Sequence, residues 1–184
     1  TSADLMVEGN RLDLRQLDNN KIEFSVFPKL KKCEIDGDKL NPVSEGVFSK
    51  YSVNIPANEP DIKIIKQQRD EAIVEMPQNL PNGISDIFLE VEYLGSDITA
   101  FDEDSLLTDN LFNGQSWMFG LKRYVNGESR EIRFKVNPWK DKITGVPDEL
   151  VEKVKMKGSV IESIKIHPQY RVCLLYTSPS PRDS

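Results

Sequence analysis

The side chains best suited to recognise a ligand lie in the second half of the chain. Phe112, Asn113 and Trp117 are close in sequence, and Trp139 follows them. An aromatic face can stack on a sugar ring while an amide reads its hydroxyl groups, so these four residues are candidate carbohydrate contacts. A structural interpretation competes with this one. Asn113 precedes a glycine and predicts a turn, and Trp117 has the parity of Phe119 and predicts a core position.

Acidic residues supply two further candidate sites. Asp102 and Asp104 lie at a predicted hairpin tip and could ligate calcium, which needs several oxygen ligands. The alternative, which the pattern favours, is a solvated tip. Glu90 and Glu92 share one strand face and resemble an acid/base pair. Nothing in the sequence supplies a partner that would split their pKa values, so a solvated sheet face is favoured and no catalytic residue is assigned.

Composition excludes several other functions. His167 is the only histidine, which leaves too few ligands for a Cys/His zinc site, and no Ser or Cys motif accompanies it as the nucleophile of a triad. Cys33, between Lys32 and Glu34, is interpreted as a half-buried filler. The net charge is -6 without a basic cluster, so neither nucleic acid nor a membrane is expected as a partner. No apolar run approaches the roughly 20 residues that span a bilayer, and no cofactor is expected.

Period-two alternation dominates the chain and predicts antiparallel strands, each with one buried and one wet face. The apolar positions of the four clearest segments are Ile22, Phe24 and Val26; Tyr51, Val53 and Ile55; Ile87, Leu89, Val91 and Tyr93; and Ile132, Phe134 and Val136. Many short strands of this kind indicate an all-β protein, an antiparallel β-sandwich or jelly roll.

Turn signals agree with this fold class. Asn126-Gly127 lies between Leu121–Tyr124 and Ile132–Val136 and predicts a short hairpin there. Pro147 is a helix start signal, and at most one short helix is expected, near residues 148–155. The segment 75–85 is the best candidate for an internal boundary.

Both ends of the chain suggest a fragment. Residues 173–184 resemble the translation of a transposase adaptor used in sequencing libraries, so this tail is expected to be non-native and disordered. Residues 18–172 are expected to form the sandwich domain. Residues 1–17 are either its first strand or the remnant of a preceding domain.

Residues 86–139 resemble the C-terminal β-sandwich of family 35 glycoside hydrolases, the β-galactosidase family. The likeness is carried by a strand ending in Tyr93-Leu-Gly95, a hairpin at Asp102–Ser105, and a motif of spaced residues. The matching motif residues are Asp109, Phe112, Asn113, Gly114, Trp117, Gly120, Leu121, Lys122 and Arg123. The hairpin reads Asp-Glu-Asp-Ser where the family carries Asp-Gly, which changes its turn type.

The resemblance implies a galactose-binding-like jelly roll that is non-catalytic and stabilises a catalytic barrel missing from this chain. The parent would be a retaining β-galactosidase, in which two carboxyl groups about 5 Å apart flank the glycosidic bond. The expected partners are that barrel, a sister sandwich domain and possibly galactosides, in a periplasmic or secreted enzyme. An alternative of a different class is an autonomous carbohydrate-binding module.

Overall fold

A computed structural model of the chain describes residues 3–56, 59–140 and 145–178. Antiparallel strands form nearly all of its regular structure, which confirms the expected all-β class with sandwich-like packing. The chain forms two compact units where a single sandwich over 18–172 was expected. The first unit comprises residues 1–59, 81–86 and 168–184, and the second comprises residues 60–80 and 87–167.

The first unit contains a sheet built around the end of a long strand. Its strands are β1 (Asp4–Glu8), β2 (Arg11–Leu17), β4 (Lys32–Ile35) and β5 (Asp38–Lys39), together with residues 168–177 of β15 (Val160–Thr177). β2 pairs with β1 on one side and β15 on the other, and β4 also pairs with β15. Residues 4–17 therefore form a hairpin of this sheet.

A second, three-stranded sheet of the first unit has the order β3 (Lys21–Val26), β7 (Phe48–Asn54), β6 (Val43–Glu45). The predicted alternation is confirmed, since Ile22, Phe24, Tyr51 and Val53 are buried. The Phe24 and Tyr51 rings stack across the two longer strands with centroids 5.1 Å apart. The opposite face of this sheet carries the residues that remain exposed.

The second unit is a small sandwich. One layer is a five-stranded sheet in the order β12 (Ser105–Leu111), β11 (Asp97–Asp102), β14 (Arg130–Val136), β9 (Glu71–Met76), β8 (Lys63–Gln67). The other layer contains β13 (Trp117–Gly120), residues 87–94 of β10 (Ile84–Leu94) and residues 160–167 of β15. The predicted turn at Asp102–Ser105 is confirmed, and Glu103 adopts a φ of +52° in it.

Aromatic rings join the two layers of the second unit. The Phe119 ring of β13 meets the Phe134 ring of β14 edge to face at 5.2 Å, and the Trp117 ring meets Phe134 at 6.0 Å. Edge-to-face pairs of this kind contribute beyond the area that they bury. The alternating apolar residues of both layers therefore form one core.

The only helix longer than one turn among the described residues is α1 (Asp148–Lys157), which confirms the short helix expected near 148–155. The helix begins directly after Pro147, a residue type that is common where helices start. It ends before Gly158, whose φ is +67°. The Arg69 guanidinium donates to the carbonyl oxygen of Lys157 and so binds the C-terminal end of the helix.

The hairpin predicted around Asn126-Gly127 is wrong. Lys122–Tyr124 forms a short 3-10 turn, β13 pairs with β10, and β14 pairs with β11 and β9. The two segments lie in opposite layers, and their aromatic side chains pack edge to face across the core. Long-range packing has overridden a local turn signal.

The expected disordered tail also differs from the structure where residues are described. Cys173–Thr177 continue β15, pair with β2 and β4, and bury Leu174 completely. Residues 179–184 lie outside the described residues, and the adaptor origin of the tail stays a prediction.

Candidate functional site

Phe112 and Asn113 hold the structural positions that competed with sugar contact in the sequence analysis. Phe112 is 4% exposed and meets Tyr93 and Trp139 edge on, with centroids 5.6 and 6.3 Å away. The Asn113 side-chain oxygen accepts the Gln115 N–H at 2.9 Å and so closes a turn. Neither residue offers an open stacking face with a free amide beside it.

The two tryptophans belong to separate aromatic clusters. Trp117 packs edge to face on Phe119 at 5.0 Å and is half-buried in the inter-layer core. Trp139 is half-buried beside Phe112, and its indole N–H is buried without a hydrogen-bond partner among the described residues. An indole donor usually finds a partner when buried, and the Trp139 indole N–H is the one buried side-chain donor or acceptor that the described residues leave without a partner.

Polar side chains line the outer face of the layer formed by β13, β10 and β15. Glu90 of β10 accepts a hydrogen bond from the Ser116 hydroxyl at 2.8 Å and lies 3.1 Å from the His167 Nε2 atom. Lys165 lies 3.7 Å from the same carboxylate. The expectation that Glu90 has no partner is wrong, because three residues that are distant in sequence surround its carboxylate.

This arrangement does not assemble a catalytic triad. The Ser116 and His167 side chains both contact the Glu90 carboxylate, which stands between them, where a triad would have the imidazole contact the serine. The hydrogen bonds from Ser116 and His167, and the positive charge of Lys165, hold the pKa of Glu90 below its usual value. A general acid needs a raised pKa, so Glu90 stays an ionised acceptor that ties neighbouring strands together.

A second set of charged side chains lies beside these polar residues, at helix α1. Glu162 accepts from Lys157 at 2.6 Å and from Lys153 at 2.9 Å, and these hydrogen bonds hold the pKa of Glu162 below its usual value. Glu92 accepts from the Ser163 hydroxyl at 2.8 Å and is 3.5 Å from Lys165. Both carboxylates are therefore paired, although they lie at the surface.

A pocket of ≈ 270 Å³ lies between α1 and the turn that precedes β13. Its polar lining is Glu92, Gln115, Ser116, Lys153 and Glu162, and its apolar lining is Tyr93, Leu94, Phe112 and Leu150. Gln115 and Ser116 lie between residues that were predicted as contacts, but neither of these two was itself predicted as a site residue. The helix that closes the pocket is separated from them by more than 30 positions, and no local pattern brings the two segments together.

The acidic hairpin tip is engaged by arginine. Asp102 forms an ion pair with Arg130 at 2.9 Å, and the Arg133 guanidinium donates to the Glu103 carbonyl oxygen at 3.4 Å. In the described parts of the chain, no three His, Cys, Asp or Glu side chains converge as metal ligands. Calcium binding by Asp102 and Asp104 stays a prediction that these contacts do not favour.

Cys33 is more deeply buried than the sequence suggested, with 2% of its surface exposed. Burial and the nearby Glu34 carboxylate raise the pKa of its thiol to about 11. The thiolate is the reactive form, so this residue fills core space in the first unit.

The fold and these contacts define an all-β, antiparallel protein with a polar outer face on its second unit. No protein-family model, curated protein or solved structure matches the chain. Among the described residues, no helix combines the length and apolar character needed to cross a bilayer.

Proposed function

We propose that this chain is a non-catalytic β-sandwich region that packs on, and stabilises, the catalytic barrel of a β-galactosidase-like glycoside hydrolase. The observation that supports docking is an apolar patch on the outer face of the three-stranded sheet of the first unit. Phe27, Val43 and Phe48 are between 50% and 71% exposed. Side chains of this size rarely cluster in water unless another surface covers them.

The patch is organised by strand register. Val26 pairs with Ser49 in antiparallel register. Phe27, which follows Val26, and Phe48, which precedes Ser49, therefore meet on the outer face, with their ring centroids 6.3 Å apart. Val43 pairs with Lys50, which places it on the same face. Because buried residues such as Tyr51 occupy the other face, these apolar side chains cannot turn inward.

A charged network borders the patch on the same sheet. Glu23 forms ion pairs with Lys21 at 2.7 Å and with Lys50 at 3.2 Å. An apolar centre with a polar border is the usual anatomy of a protein interface. The assignment of the partner as a catalytic barrel rests on the glycoside hydrolase resemblance.

The alternative proposal, an autonomous carbohydrate-binding module, requires an exposed aromatic platform. Phe112 is buried and Trp117 packs on Phe119 in the described fold, which favours docking over stacking on sugar. Titration of the purified chain with galactosides, followed by tryptophan fluorescence, separates the two. A saturable shift would favour the module, and an unchanged spectrum would favour the docking domain.

The docking proposal is tested in the parent protein, recovered from the gene that contains this sequence. We expect Phe27→Asp and Phe48→Asp to shorten the thermal half-life of the parent's hydrolase activity while kcat/KM before heating is unchanged. Leu111→Asp is the matched control, because Leu111 is 70% exposed in the second unit. Equal half-lives for all three variants, or a parent gene without a catalytic barrel, would contradict the proposal.

A further inference from the structure

Strand β1 is the terminal strand of its sheet, and every one of its residues is exposed. Leu5 and Val7 lie opposite Leu14 and Leu12, so they share the buried face of the sheet. They nevertheless remain 52% and 55% exposed, because β1 has a neighbouring strand on one side only among the described residues. The N–H and C=O groups along its other side can therefore accept a further strand.

Strand β8 is a terminal strand of the five-stranded sheet in the second unit, and its residues are exposed too. Lys63 pairs with Glu75 of β9. A bulge after Ile64 then brings Lys66 opposite Ile73. Glu75 and Ile73 alternate with buried residues of β9, so both lysines project from the outer face of the sheet.

The two edges carry opposite charges around apolar centres. Asp4 and Glu8 lie at the two ends of β1 on its outer face, and neither carboxylate forms an ion pair with a described residue. Lys63 and Lys66 of β8 form ion pairs of 3.0–4.0 Å with acidic side chains near them, but the two lysine side chains remain 58% and 43% exposed. Exposed pairs of this kind contribute little to stability, so either lysine can turn to another carboxylate.

The same charges disfavour pairing of either edge with its own counterpart in a second copy of the chain. An antiparallel β1–β1 pair centred on Met6 would place Asp4 directly opposite Glu8 at both ends, and a β8–β8 pair would bring four lysines together. Like charges across a strand pair are destabilising, whereas opposite charges are stabilising. The charge pattern therefore selects β1 of one copy and β8 of another.

We propose that the chain associates with further copies of itself through antiparallel pairing of β1 in one copy with β8 in the next. Lys63 and Lys66 reach the acidic ends of β1 from diagonal positions, which long side chains can span. Ile64, which pairs with a buried valine of β9, covers the exposed flank of Leu5 and Val7. Each copy holds one strand of each kind, so the contact is heterologous and either closes into a ring or extends.

This association is independent of the docking proposal, because neither strand contributes a residue to the apolar patch. Sedimentation velocity of the full chain between about 10 μM and 1 mM measures it, and a contact this small predicts a dissociation constant on the order of 0.1–1 mM. We expect the weight-average mass to rise about 1.5-fold or more over this range in about 0.05 M salt, and to fall back in about 1 M salt. A chain that stays monomeric throughout, or that associates equally at both salt concentrations, overturns the proposal.

Charge reversal identifies the two strands. One variant carries Asp4→Lys with Glu8→Lys, and the other carries Lys63→Glu with Lys66→Glu. Each variant alone should remain monomeric, because its two edges now bear charges of the same sign. An equimolar mixture should associate again, because each variant supplies the strand that complements the other.

A control variant separates this pairing from the effect of net charge. Glu128→Lys with Glu152→Lys, at exposed positions outside both strands, changes the net charge as the first variant does and should associate as the unaltered chain does. Far-UV circular dichroism shows whether each variant is folded, and Glu8→Lys mixed with Lys66→Glu replaces any double variant that is not. Folded variants that fail to associate on mixing, or association that survives both reversals and is abolished by Phe27→Asp, would overturn the proposal.

Discussion

Gly114 offers the sharpest test of how helix α1 is seated. Its φ is +87°, and a Cβ atom built at this position would contact the Leu150 Cδ1 atom of the helix. Gly127 is a matched control, because its φ is +89° but a Cβ atom there would meet only open space. Alanine at either position incurs the same backbone strain, and only alanine at position 114 presses on the helix.

The expected losses of stability follow from backbone strain and from overpacking against Leu150. An L-residue at positive φ costs about 1–2 kcal/mol, which is the whole loss expected for Gly127→Ala. Overpacking a well-filled site costs about 1–3 kcal/mol more, and Leu150 can turn partly aside because its methyl group ends a flexible side chain. We therefore expect Gly114→Ala to lower the free energy of unfolding by about 2–3 kcal/mol. In the double variant with Gly114→Ala and Leu150→Ala, the loss of unfolding free energy should be about 1 kcal/mol smaller than the sum of the two single losses.

Urea unfolding measures these differences, with fluorescence of Trp117 and Trp139 as the probe. Both tryptophans lie in the second unit, so the signal reports the part of the chain that contains Gly114. Equal losses for Gly114→Ala and Gly127→Ala would refute the reasoning, as would strictly additive effects of Gly114→Ala and Leu150→Ala. Either result would mean that α1 does not cover this turn and does not wall the pocket.

The remaining predictions concern individual side chains. Trp139→Phe should change the free energy of unfolding by less than about 1 kcal/mol in urea titrations, because the indole N–H that it removes has no partner among the described residues. Cys33 should resist iodoacetamide at pH 8 in the native chain, by mass spectrometry, and react after unfolding, because its pKa is about 11. Arg69→Ala should increase amide hydrogen exchange in the last turn of α1, since the guanidinium binds the Lys157 carbonyl oxygen. Glu90 has a lowered pKa, so its stabilisation is present above its ordinary value of about 4.5 and is lost as the pH falls through the lower folded-state value. Glu90→Gln should therefore reduce the acid-induced loss of stability between pH 7 and 3, and an unchanged profile would contradict this assignment.

Alternation along the sequence predicted the strands because each has one buried face. The segments at Ile22, Tyr51, Ile87 and Ile132 all form strands, and each of these four residues is buried. The helix after Pro147 and the turn at Asp102–Ser105 were also predicted, because the residues that signal each of them lie within a few positions of one another. Local patterns suffice where local geometry decides the structure.

Contacts between distant segments could not be read in this way. Asn126-Gly127 has the composition of a hairpin turn, but the strands on either side lie in different layers because Phe119 and Phe134 pack against each other. Glu90 looked solvated because its partners, Ser116 and His167, are 26 and 77 positions away. The candidate pocket has the same character, since β-sheet register and helix docking create it together.

The size of the apolar patch decides what kind of partner the docking proposal requires. Burying a large apolar side chain contributes about 1.5–3 kcal/mol, so covering the exposed fractions of Phe27, Val43 and Phe48 would contribute about 3–6 kcal/mol. Two free molecules lose about 4–15 kcal/mol of translational and rotational freedom when they associate, and the contribution of this patch reaches only the lower end of that range. A domain of the same chain is held at millimolar effective concentration by its linker and avoids most of that loss. Under the docking proposal a tethered partner is therefore expected, and if the parent gene encodes a barrel, the separately expressed barrel should bind this chain more weakly than the intact parent holds it.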